Sequence, residues 1–426
     1  MDTENRKLKK QNMRIYPIYK TIGVDFIFFY SIRFLFLTQV KGISASNILL
    51  SISFYAIFMI ILQMPISMVV NRLGTKKSTV LANIISVLYI ILIMMSTNLL
   101  TLIIAEFVSA LCFSIKDVSD PTLLRDSVPD GEAKSSIFSK LEGKGCKNYF
   151  YFDAITAVSA GFLYVINAYI PMILSMLFAI FATIISLSFN EIKVEKEKKK
   201  QNPVKELKEQ IRKLKKSMTF IIKSQRLRSL LIYAGITRGI YSLIATYGDS
   251  LLVDIGVSAQ IIAIVGAIYS IATGIGSEKQ EKFHNRYKNK SLSIMLILTL
   301  IPIIIIGIVG KLGLSFNTSL IIIVILMTFI VAIKGINMIL VKKYLANFTQ
   351  NDIIVQILAT DAIIRNLFRA IIGFFGAYLL KITDTANAFI IIGVLLLVAS
   401  LGLISYMKTR LGLKPQEYDK SEFYKN

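Results

Sequence analysis

The sequence predicts an all-α integral membrane protein with twelve transmembrane helices in two six-helix bundles. Three observations predict it. Hydrophobic residues make up 54% of the 426-residue chain, and mean hydropathy is +0.64. Apolar runs of about 20 residues, the length that crosses a hydrocarbon core, recur from end to end. Cationic residues concentrate on alternate connections between those runs.

The first run is 16–38, and the opening stretch MDTENRKLKKQNMRIYPIYK is polar, so no cleaved signal peptide is expected. The second and third, 47–70 and 78–96, are joined by the basic turn NRLGTKKS. The fourth is 98–120, and SSIFSKLEGKGCKNYF reads as a cytoplasmic extension of the fifth, 148–167. The sixth, 169–189, closes the first half. The second half repeats the count at 229–252, 257–277, 291–310, 317–340, 356–380 and 385–407.

Between the halves lies the longest connection, 190–228. Asn202 can cap a helix that has Pro203 at its first position. Val204, Leu207, Ile211, Leu214, Met218 and Ile221 follow a three/four spacing, with Lys and Arg on the other faces. The pattern suits a basic amphipathic helix on the anionic inner leaflet, or a solvated helical linker. The expected domains are therefore 1–190, a linker at 191–226, 227–410, and a cytoplasmic tail at 411–426.

Of the 49 Lys and Arg residues, 40 fall on the termini and the loops of one side. The opposite loops hold only Lys41, Lys311 and Lys381. This positive-inside asymmetry places both termini in the cytoplasm of a multi-pass cell-membrane protein. The +23 formal charge is then a topology signal, and nucleic-acid binding is not expected. Two cysteines, Cys112 and Cys146, and one histidine, His284, support neither a disulfide framework nor a multi-His metal site. No cofactor, no metal and no enzymatic activity are expected. The chain carries no G-x-x-x-x-G-K-S/T phosphate loop and no Ser/His/Asp or paired-Asp constellation.

A near copy of the basic turn, NRYKNKS at 285–291, follows the eighth run as the first follows the second. Asn71, Arg72 and Lys76 match Asn285, Arg286 and Lys290. A fainter echo joins AGFLY at 160–164 to IGFFGAY at 372–378. Duplicated halves are a transporter architecture.

On these residues the chain resembles the major facilitator superfamily, over Tyr16 to about Met407. That family's loop pattern is G-x-x-x-D-R-x-G-R-R/K. Here SMVVNRLGTKK at 67–77 keeps Arg72, Gly74, Lys76 and Lys77, with Ser67 for the small residue and Asn71 for the acid. The resemblance implies a major facilitator fold, alternating access and a conformational gate at this loop. Gly74 would permit a tight turn, and Asp117 and Asp120 would pair with Arg72 or Lys76, with Arg286 in the second copy. Two features depart from the drug/proton antiporters. The helix-five Gly-Pro signature is missing, since AITAVSAGFLYVIN has Gly161 alone, and Glu106 lies near the zone of the helix-four arginine.

Ionisable side chains at bilayer depth should face a cavity or a partner. Glu106 and Asp25 are the proton-coupling candidates, since burial and exposure in alternation would bind and release a proton. Each also has a structural reading. Arg33 is expected to reach the outer interface, and Lys334 the inner one. Asp361 and Arg365, at i,i+4, suit a salt bridge, while Arg238 and Arg369 could meet an anionic group. Tyr30 and Tyr241 could add amphipathic cavity walls, and glycines including Gly266, Gly274 and Gly376 suit close helix packing. The expected function is proton-coupled efflux of a small amphipathic compound by a monomer. Uptake of an anionic nutrient and lipid-linked polymer flipping are the alternatives.

Overall fold

The computed structural model describes residues 3–129, 134–192, 203–347, 354–408 and 410; Asn202 and the tail 411–426 lie outside them. The regular structure of the described residues is all helical, without strands. The helices are α1 (Thr3–Gly23), α2 (Ala45–Leu73), α3 (Thr75–Met95), α4 (Leu99–Ser127), α5 (Lys134–Ile166) and α6 (Ile170–Leu187). Then come α7 (Pro203–Lys223), α8 (Gln225–Asp254), α9 (Ala259–Glu278), α10 (Gln280–Tyr287) and α11 (Ser291–Lys311). The last are α12 (Phe316–Asn347), α13 (Ile354–Ile382) and α14 (Thr385–Lys408).

Among the described residues, eleven helices are long and apolar enough to cross a membrane. The run at 16–38, expected as one helix, is interrupted. α1 stops at Gly23, and a turn-rich stretch leads to a short helix, Arg33–Leu35, and a π-helical turn, Phe36–Val40. Local chemistry accounts for the break. The Asp25 carboxylate accepts the Phe26 N–H at 2.9 Å, diverting a backbone donor, and Phe28 takes φ 65°. The carbonyl released at Gly23 accepts Lys116 Nζ at 2.9 Å, so it is not left unsatisfied away from water.

The chain forms two compact units. One comprises Met1–Ile43, Ile61–Gln210 and Ala259–Ile264; the other Ser44–Ile60, Ile211–Ser258 and Val265–Asn426. In the first, α3 packs on α4 and α6, and α1 packs on α5. Its core joins Tyr16, Tyr19 and Phe189 to Leu123, Leu124, Val128 and Ala182. The Asn12 side chain laces it, donating to Ser127 Oγ at 3.0 Å and to the Asn190 carbonyl at 2.8 Å.

In the second unit α8 packs on α12, α13 and α14, and α11 packs on α12 and α14. Helices α9 and α12 meet backbone to backbone. A Cβ on Gly276 would strike the Ala332 carbonyl, and one on Gly335 would strike the Thr273 carbonyl. Ser277 Oγ seals that contact by donating to the Gly335 carbonyl at 3.1 Å. The small-residue expectation fails at Gly266 and Gly274, where a Cβ would enter open space.

Both copies of the basic turn place a left-handed residue at the same aligned position. Gly74 has φ 91° and Lys288 has φ 47°. The following serine caps each turn: Ser78 Oγ donates to the Gly74 carbonyl at 2.7 Å, and Ser291 Oγ to the Lys288 carbonyl at 2.6 Å. The two turns share the positive φ and a serine cap, but ψ is 160° at Gly74 and −124° at Lys288, and the serine lies four residues on in one and three in the other.

Candidate functional site

The turn after α2 is built around Gly74. Its φ suits glycine, and a Cβ there would meet the Glu191 carboxylate at 2.8 Å. Glu191 Oε1 accepts the Thr75 N–H at 2.8 Å and Oε2 accepts the Lys76 N–H at 2.9 Å. A carboxylate thus closes the N-terminus of α3, where the helix dipole favours negative charge. This role of Glu191 was missed in the sequence, although it is the first acid after α6. Lys76 engages it through its backbone, while Arg72 and Lys77 are exposed. Replacing Gly74 with leucine, or Arg72 with alanine, is expected to slow transport severalfold with ligand affinity nearly unchanged. Turnover in proteoliposomes beside equilibrium binding in detergent checks this; an equal fall in affinity would place the loop in the binding site.

The acids expected at the gate separate. Asp117 is exposed, whereas Asp120 lies in the core of the first unit. Tyr19 donates to Asp120 Oδ2 at 3.2 Å, and Thr79 donates to Oδ1 at 3.1 Å, with Ser119 adding a third hydroxyl. These hydroxyls, rather than Arg72 or Lys76, satisfy the carboxylate. Asn83 Nδ2 extends the network to Tyr19 at 3.1 Å. In the second copy of the turn, Arg286 is exposed on α10, its guanidinium 5.7 Å from the Tyr287 ring. His284 is buried beside it, with Nδ1 3.2 Å from Ser291 Oγ and 3.4 Å from Tyr344 Oη. Burial and the nearby Lys343 charge hold this imidazole below its usual pKa.

Glu106 is paired with Arg33, and both side chains are largely enclosed. Arg33 does not reach the outer interface: the interrupted first segment turns it inward, over the Phe29 ring. Asp25 lies elsewhere, in a recess shared with Lys116, Ser86 and Ser175. Tyr30 belongs to this first unit, hydrogen-bonded to Asp25 and packed against Phe26 and Phe29.

The second unit contains a cavity of about 410 Å³, in the size range of small-molecule sites. One face each of three helices lines it. Helix α8 contributes Ala234, Thr237, Arg238 and Tyr241, spaced i, i+3, i+4, i+7. Helix α12 contributes Lys334, Asn337, Met338, Val341, Lys342 and Leu345 on the same periodicity. Helix α13 adds Asp361 and Arg365, whose carboxylate and guanidinium pair at 2.6 Å. Arg238, Tyr241, Asp361 and Arg365 are thus brought together. Arg369 is outside the lining; its Nε donates to Ser242 Oγ at 2.9 Å and its guanidinium lies 5.0 Å from the Tyr55 ring.

Lys334 and Lys342 were missed as cavity residues, and Lys334 is not an interface residue. The α12 periodicity was the available signal, obscured because the helix is apolar on almost every face. The lining carries four cationic side chains against one carboxylate. Arg238 and Lys342 are exposed whereas Asp361 is buried, so an anion entering this cavity would meet charged donors. Two polar atoms, Asp361 Oδ1 and Arg365 Nε, are buried without a hydrogen-bond partner. Among the described residues, no group of three or more His, Cys, Asp or Glu could hold a metal ion.

Residues 21–346 match the family model of the Major Facilitator Superfamily. No curated protein matches the chain. Several solved structures of transporters are similar to it. The nucleoside transporter NupG aligns at 13% identity and TM-score 0.67, over 94% of this chain and 99% of that one. A POT family transporter in complex with 5-aminolevulinic acid aligns at 13% identity and TM-score 0.65, over 95% of each chain. A bacterial homologue of the human lysosomal transporter Spinster, inward-facing and occupied, aligns at 11% identity and TM-score 0.60, over 97% of this chain and 96% of that one. At such identities the likeness is one of fold.

Proposed function

The chain belongs to the Major Facilitator Superfamily, as a multi-pass membrane transporter, and from that premise we propose proton-coupled secondary transport of a small amphipathic anion across the cell membrane. The observation that carries the substrate charge is the cavity of the second unit, with four cations against one carboxylate. Its Ala234, Met338, Val341 and Leu345 supply an apolar wall, which suits an amphipathic solute. Export is the first reading of direction. Uptake of an anionic nutrient is the second, favoured by the same cationic lining. Glu106 and Asp25 remain the proposed coupling acids.

Proteoliposomes loaded with candidate solutes and subjected to a pH gradient test the reading. Anions should move and their neutral analogues should not, and Arg238→Gln should lower anion affinity about tenfold, the scale of one charged hydrogen bond. Movement of neutral solutes alone, unaffected by Arg238→Gln, would overturn it. Inside-out and right-side-out vesicles separate export from uptake.

Both termini and α7 are proposed to be cytoplasmic. Helix α7 exposes Ile211, Met218 and Ile222 among many lysines, which suits an anionic inner leaflet. Lys208→Cys, on a background lacking Cys112 and Cys146, should resist impermeant thiol reagents in intact cells and react after permeabilisation. Labelling of intact cells would reverse the topology.

A further inference from the structure

We propose that the break in the first segment builds a site for one alkali cation, and that the ammonium of Lys116 fills it in place of sodium. The site lies within the first unit and shares no residue with the cavity of the second, so it stands apart from the substrate reading.

Four oxygen-bearing groups meet there. Helix α1 ends at Gly23, where its last carbonyls lack helical partners and carry the negative end of the helix dipole. The Gly23 carbonyl accepts Lys116 Nζ, which arrives from α4, at 2.9 Å. Two residues on, Asp25 lines the same recess as Lys116, together with Ser86 from α3 and Ser175 from α6. Ser86 Oγ donates to the Asn83 carbonyl at 2.6 Å, so its lone pairs stay available. Ser175 is 2% exposed, and its Oγ is buried without a hydrogen-bond partner. Thr183, on the same helix, satisfies its hydroxyl by donating to the Ala179 carbonyl at 2.9 Å, and Ser175 does not do the equivalent. An unserved hydroxyl beside a carboxylate and a half-helix end points to a ligand that all of them can hold.

Carboxylate, carbonyl and hydroxyl oxygens are hard donors, which suit hard cations and repel anions. One carboxylate calls for a single positive charge. The recess beside the lysine measures about 10 Å³, roughly the room of one water-sized particle. Unwound backbone at the end of a half-helix is also where coupled transporters hold sodium. Here the chain supplies the charge itself, through a lysine that is 8% exposed. With its own cation tethered at the break, the protein needs no sodium there. Removing the ammonium strands both the Asp25 charge and the Gly23 carbonyl at membrane depth. A sodium ion, entering past the half-buried Asp25, serves both at once.

Thermal unfolding of the purified full-length protein in detergent, in sodium chloride and in choline chloride at equal concentration, tests the proposal. The unmodified protein should melt at the same temperature in both. Lys116→Met keeps the apolar stem and removes the ammonium. It should melt below the parent in choline and gain about 2–4 °C in sodium, along a saturating curve, as a ligand bound by the folded state alone requires. Lys116→Arg keeps a tethered cation and should show no sodium response. Asp25→Asn, added to Lys116→Met, should abolish the response, and Ser175→Ala should shift it to severalfold higher sodium. If Lys116→Met folds only in sodium, that is the same result in stronger form. If it folds in neither salt, Lys116→Gln takes its place on the same terms. A sodium response of the unmodified protein would show that Lys116 does not fill the site. Equal melting of Lys116→Met in both salts would show that no cation site exists. A response that survives Asp25→Asn would place sodium elsewhere. Each of these three outcomes overturns the proposal, and none bears on anion transport through the second unit.

Discussion

Arg33→Met alone is expected to destabilise the protein by about 3–5 kcal/mol, the usual cost of stranding one member of a buried ion pair. Arg33 and Glu106 are 12% and 4% exposed at their side chains, so neither recovers full hydration when the other is removed. Glu106→Gln should cost less, because a neutral amide still accepts a hydrogen bond from the guanidinium. Arg33→Met with Glu106→Leu should restore most of the loss, since a well-packed apolar pair can replace an ion pair without penalty. Melting curves by circular dichroism in detergent provide the measurement. Additive losses in the double variant would mean that the two groups do not act as a pair.

The same set of variants separates structure from coupling. If Glu106 carries the coupling proton, its carboxylate must exchange Arg33 for a proton during the transport cycle. Glu106→Gln should then bind substrate and exchange it across the bilayer, but fail to concentrate it under a pH gradient. The stable double variant should fail in the same way. Full gradient-driven accumulation by either would make Glu106 a structural residue and move Asp25 ahead of it. Asp25→Asn is the comparison, because its recess contains Lys116 and not Arg33.

Run length and charge asymmetry made the membrane helices legible, and both depend only on sequence order. The duplicated turn was legible for the same reason: Asn71, Arg72 and Lys76 recur 214 positions on as Asn285, Arg286 and Lys290. The break in the first segment was not. Nothing in GVDFIFFYSIR has the Pro or Gly-Gly form of a helix stop, and the carbonyl that the break releases is satisfied by Lys116, 93 positions further on. Arg33 was misplaced as a consequence, since eight further residues of ideal helix would carry it outward. Asp361 and Arg365 were readable because an i,i+4 pair is local. Lys334 was not, because its cavity neighbours are on α8 and α13, and only tertiary packing tells an inward lysine from one that reaches the membrane surface.

Gly335→Val is expected to be among the most damaging single substitutions in the second unit. Its Cβ would collide with the Thr273 carbonyl and lie 2.9 Å from the Ser277 nitrogen, and neither is a side chain that can rotate away. Overpacking of this kind costs about 1–3 kcal/mol, and more where backbone must move. Here relief requires α12 to shift away from α9. The next residue back is Lys334, and Asn337, Met338 and Val341 follow on the same helix, so the shift displaces one wall of the cavity. Anion affinity should therefore fall together with the melting midpoint. Gly266→Val is the control: a Cβ there meets nothing within 4 Å, so stability and affinity should stay near those of the parent. Gly276→Val tests the reciprocal contact with the Ala332 carbonyl and should resemble Gly335→Val. If Gly335→Val melts like the parent and binds anions normally, the close approach of α9 and α12 does not set the position of Lys334.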